Sequence, residues 1–72
     1  MGFFAKLLML WNSLLPYLTA ENAAKVYAAF DLAIKDWDGG DHDKAIDDLA
    51  NALKEILPGP AHATLNEVIQ GE

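Results

Sequence analysis

Asp36, Asp38, Asp41, His42 and Asp43 crowd around the Gly39-Gly40 pair. Oxygen ligands at alternate positions are what a hard cation such as calcium takes. The register of a helix–loop–helix calcium site does not fit. Counted from Asp36, Gly40 falls on a ligand position, Asp41 on the position that needs glycine, and Asp47 on the terminal glutamate. The aspartates are instead expected to form a solvated turn that caps the following helix, with no metal bound.

The two histidines, His42 and His62, could serve as a ligand pair or as a general acid and base. Their approach depends on how the chain beyond Pro60 folds. No third group completes a nucleophilic set, since cysteine is absent and the single serine, Ser13, lies in an apolar stretch. Gly39-Gly40 lacks the spacing and the following Lys-Ser/Thr of a phosphate-binding loop. The expectation is surface histidines, no catalytic residues, no cofactor and no enzyme.

Composition narrows the partner classes. The chain has 72 residues, five lysines, no arginine and eleven acids, for a net charge of −6. Without arginine it lacks the planar fork that reads phosphate. Its charge also opposes approach to a polyanion, so nucleic acid is excluded as a partner. Hydrophobic residues make up 53% of the chain, too many for a disordered tail. A chain this short forms one marginal core and is commonly held by a metal, a disulfide or a neighbour. The absence of cysteine removes the disulfide.

Helical spacing runs through the whole chain, and no stretch alternates with period two. The reading is a single all-α domain over residues 1–72. It is a three-helix bundle, or a helical hairpin plus an apolar N-terminal helix, with a short fourth helix at the C-terminus. The N-terminal helix covers residues 2–15, the hairpin 19–57, and the last helix or tail 60–70. Pro16 closes the first element, Gly39-Gly40 the second and Pro58 the third. Thr19 and Asp41 are the expected N-caps. In the hairpin, Phe30, Ile34 and Trp37 are expected to pack against Ile46, Leu49 and Leu53. Val26 and Tyr27 belong to the same half-buried stripe.

Residues 26–58 resemble a single tetratricopeptide-repeat hairpin. The resemblance rests on Gly40-Asp41-His42-Asp43-Lys44-Ala45-Ile46, then Leu49, Ala52-Leu53 and Pro58, with Leu32 and Ala33 at the small-residue position of the first helix. Asp36 stands where the family has an aromatic, and Pro58 comes one residue late. The resemblance implies an antiparallel helix pair that works by interaction and performs no catalysis. One such repeat cannot bury its own face.

The charge is uneven. Residues 1–20 carry only Lys6, whereas residues 21–72 carry four lysines and eleven acids, net −7. In the apolar head, Phe3, Phe4, Leu7, Leu8, Leu10, Trp11, Leu14 and Leu15 share one broad face; Ala5, Lys6, Met9, Asn12 and Ser13 take the other. That face is wider than a core-facing helix needs. The run is too short to span a bilayer, and Lys6 alone is a thin basic complement for a membrane-surface helix. A secretory leader ending at Leu18-Thr19-Ala20 fits poorly, because Asn12-Ser13 interrupt the apolar run. Gly2 invites myristoylation, but Lys6 stands where serine or threonine is needed.

The expected function is a non-enzymatic structural or adaptor subunit, such as a minor virion or accessory component of a larger assembly. Its partner-binding residues are Phe3, Phe4, Leu7, Leu8, Trp11, Leu14 and Leu15, facing a protein partner or a second copy. The alternatives are an acidic decoy on a basic protein surface and a peripheral membrane protein anchored through residues 2–15.

Overall fold

The computed structural model describes residues 2–70; Met1, Gly71 and Glu72 of the expected domain lie outside the described residues. Those residues form four α-helices and no strand: α1 (Phe3–Leu14), α2 (Ala20–Asp38), α3 (His42–Ile56) and α4 (Gly59–Gln70), with a 3-10 turn over Leu15–Tyr17. The protein is all-α. The helices pair as α2 with α3 and α1 with α4, and α4 also lies against α3.

Local chemistry fixes each boundary. The Pro16 ring sits in the 3-10 turn, and Leu18 follows in extended geometry. Thr19 then opens α2 with a reciprocal cap. Its Oγ1 accepts from the Asn22 amide at 3.1 Å, and Asn22 Oδ1 accepts from the Thr19 amide at 2.6 Å. α2 ends in a Schellman motif. The Gly40 amide donates to the Trp37 carbonyl at 3.0 Å and the Asp41 amide to the Asp36 carbonyl at 3.2 Å. This wrap needs a left-handed residue, and Gly40 has φ +92°. Asp41 Oδ1 then accepts from the Lys44 amide at 3.3 Å, so the aspartate after the diglycine caps α3.

The buried core draws on every helix. Leu10, Leu14, Leu49, Leu53, Leu65 and Val26 are its largest fully enclosed side chains. Between α2 and α3 the helices approach most closely, and the α2 residues buried there are small, Ala29 and Ala33. Between α1 and α2 the gap is filled by large rings. Phe3 stacks on Trp37 with centroids 4.2 Å apart, and Trp11 meets Phe30 edge-on at 6.3 Å.

Burial within the expected hairpin core is uneven. Leu49 and Leu53 are buried, but Phe30, Ile34, Trp37 and Ile46 are only partly so. Phe30 turns to Trp11 of α1, and Trp37 lies between Phe3 of α1 and His42 at the start of α3. The physical reason is width: a close helix pair accommodates alanine, and aromatic rings go where the helices stand apart. α2 thus carries two adjacent stripes, Val26-Ala29-Ala33 facing inward and Tyr27-Phe30-Ile34 facing toward and past α1.

Candidate docking face

The seven head residues read as partner-facing divide into two sets. Phe3, Leu7 and Leu14 point into the chain's own core together with Leu10, and this corrects the expectation for those three. α1 lies against α4, whose Leu65 and Val68 need an apolar cover, and one side of α1 supplies it. The other side stays open. Phe4 is 57% exposed, Leu8 64% and Leu15 50%, and Trp11 stands half-buried between them.

Trp11 is held by its neighbours. Its ring lies 4.8 Å from that of Tyr27 at a 43° tilt, and Phe30 closes the inner edge. A shallow apolar groove of about 340 Å³ runs between α1 and α2, lined by Phe4, Leu8, Trp11, Tyr27, Phe30 and Ile34 with Leu7 at its floor. No charged side chain lines it. Tyr27 is 64% exposed, although its spacing reads as core stripe. The signal that marks it lies in the sequence all the same: it begins a second apolar seam one position beyond the alanine stripe. Among the described residues, Met9 at 43% and Leu32 at 62% are the other large apolar side chains left open, and neither was expected on a docking face.

Lys6 is the single charge of α1, and it is already engaged. Its Nζ donates to the Ile69 carbonyl at 2.9 Å, in the last turn of α4. A cation suits that end of a helix, where carbonyls lack intrahelical donors.

The groups with chemical potential lie elsewhere and apart from one another. His42 stacks on the outer face of Trp37 with centroids 3.7 Å apart, so Phe3, Trp37 and His42 form a three-ring pile. His62 Nε2 stands 3.0 Å from the Lys54 carbonyl and 3.1 Å from that of Leu57. With two carbonyls as its only partners there, Nε2 is the protonated nitrogen, and it donates to both. The histidines therefore sit at opposite ends of α3, on the order of 20 Å apart by helical rise. Among the described residues no three His, Asp or Glu side chains converge as metal ligands would. A second groove of about 400 Å³ runs between α2 and α3, floored by Ala29, Ala33 and Ala52 and rimmed by Asp36, Lys44, Asp48 and Glu55.

No helix of the described residues is long and apolar enough to cross a membrane. Comparison with known proteins gives no match: neither a family model, nor a curated protein, nor a solved structure aligns with this chain.

Proposed function

We propose that this chain is a non-enzymatic docking subunit that buries the open side of α1, with Tyr27 of α2, against protein. The observation that carries the proposal is that Phe4, Leu8, Trp11 and Tyr27 line one uncharged groove, with Leu15 exposed on the turn that follows α1. Contiguous apolar surface of this kind, with aromatic anchors, marks interaction sites. A small chain that needed all its apolar side chains for its own core would not leave these outside.

The membrane alternative has less support. A surface-lying helix usually carries several bases on its polar face, and the one base of α1 is turned back onto Ile69. The net −7 of residues 21–72 also opposes anionic lipid. The acidic-decoy alternative places contact on the outer aspartates of α2 and α3, such as Asp31, Asp47 and Asp48.

A photo-crosslinker at Leu8 or at Asp47, in cells producing the full chain, separates the three. Protein adducts from Leu8 and none from Asp47 are expected. Lipid adducts from Leu8 would establish the membrane reading, and protein adducts from Asp47 alone the decoy.

A further inference from the structure

Resting on the docking reading, the geometry points to the occupant of the open face: a second copy of this chain, with the two α1 helices packed antiparallel about a twofold axis between Leu8 and Trp11.

The spacing of the open residues supports this first. Phe4, Leu8 and Trp11 of α1 and Leu15, which follows α1 in helical geometry (φ −47°, ψ −44°), are spaced at four, three and four residues, the seam of a helix that pairs with another helix. The seam is self-complementary when reversed. Phe4 then lies opposite Leu15 of the partner copy, and Leu8 opposite Trp11. Each contact occurs twice, as a twofold interface requires. Each crossing also sets a ring against a leucine, so bulk alternates along the seam.

Charge supports it independently. A chain of net −6 meets its own copy with repulsion wherever acids face acids. The outer surfaces of α2 and α3 carry Asp31, Asp43, Asp47, Asp48 and Glu55, all exposed. α1 contains no acid, and Ala5, Leu7, Asn12 and Leu14 flank its open seam without charge. Lys6 is directed to Ile69. The open side of α1 is thus a long face on which two copies meet without opposing like charges, and it is also apolar. A basic partner would find no anion there to pair with; a neutral apolar helix matches the face, and α1 is such a helix. The antiparallel arrangement places opposite helix-dipole ends side by side.

The seam is about three turns long, so the buried area falls at the low end of stable interfaces, and pairing at roughly micromolar chain concentration is expected. Leu8 is 64% exposed, so Leu8→Asp leaves the core untouched while placing an unpaired charge at the twofold.

Sedimentation equilibrium of the full chain should show twice the 7.9 kDa mass. Leu8→Asp should weaken the dimer at least about tenfold with unchanged helicity. The absence of native cysteine permits a direct test of direction. Phe4→Cys mixed with Leu15→Cys should form the heterologous disulfide, and either variant alone should form little. Same-residue disulfides as the main product would overturn the antiparallel geometry, and a dimer indifferent to Leu8→Asp would overturn the surface. A chain monomeric to about millimolar concentration overturns the second copy. In that case an apolar dye that binds the parent and not Leu8→Asp leaves the docking reading standing, and a dye that binds neither removes it as well.

Discussion

Lys6 Nζ donates to the Ile69 carbonyl at 2.9 Å, joining side chain and backbone sixty-three positions apart in sequence. This bond ties the first turn of α1 to the last turn of α4, across a helix pair that buries Leu7, Leu10 and Leu14 on one side and Leu65 and Val68 on the other. The first and last helices are thereby held to each other. Lys6→Met keeps the apolar stem and removes the donor, so it should cost about 1 kcal/mol. Amide exchange should accelerate in the last turn of α4, around Val68 to Gln70, more than in α2 or α3. Uniform acceleration through all four helices would show that the bond acts on global stability alone.

Leu8 and Leu10 are two residues apart and differ completely in environment: 64% and 0% exposed. Leu10→Ala should destabilise by about 2–5 kcal/mol through lost transfer energy and a cavity that α4 cannot close. Leu8→Ala should change the stability of the monomer by less than about 0.5 kcal/mol. Chemical denaturation at chain concentrations below the onset of association checks the pair. Equal effects would mean that α1 is rotated about its axis from the phase described. For the same reason, deleting residues 1–18 should unfold α4, since its inner face would lose the cover that α1 provides.

The two glycines after α2 make separate predictions. Gly39 has φ −75°, and a Cβ there would meet the Lys35 and Asp36 carbonyls at 3.5 Å, ordinary contact. Gly39→Ala should be close to neutral. Gly40 has open space around it but φ +92°, a conformation that a side chain disfavours. Gly40→Ala should cost about 1–2 kcal/mol. Thermal melting of the two variants side by side reads the difference; equal losses would place the cause in solvent exposure or the unfolded chain rather than in backbone geometry.

The all-α class, and where each helix turns or stops, were legible because the determining residues are local: Pro16, Thr19, Gly40, Asp41 and Pro58 act on their own neighbours. What the sequence left open was the direction each apolar face takes. The broad head face holds Phe3 and Phe4 side by side, and periodicity cannot say which of the two meets α4 and which meets solvent. That choice follows from long-range facts, above all that α4 docks on α1. The partial burial of the α2 rings has a related cause. A large residue beside the Val26-Ala29-Ala33 stripe reads as core, but Phe30 and Trp37 reach the rings of α1 and stay partly exposed. Tyr27 could have been anticipated, since a phenol at the edge of a stripe suits half-exposed surface.

The aspartate-rich turn supplies the last prediction. Asp41 accepts the Lys44 amide at 3.3 Å and stands just before the first residue of α3, with Asp43 in the first turn. Both carboxylates lie near the positive end of the α3 dipole, where they stabilise the helix without any bound ion. Asp41→Ala removes the acceptor and should cost about 0.5–2 kcal/mol, whereas Asp41→Asn or Asp41→Ser should retain most of the stability because each still offers an oxygen. If the cluster instead held a cation, the three variants would lose a calcium-dependent increment together. Melting at millimolar calcium distinguishes the two accounts. The parent should shift by less than about two degrees, since a ligand that bound only the folded chain would raise its melting point as concentration exceeded the dissociation constant. A rise of about ten degrees, abolished in Asp41→Asn, would replace the cap with a metal site.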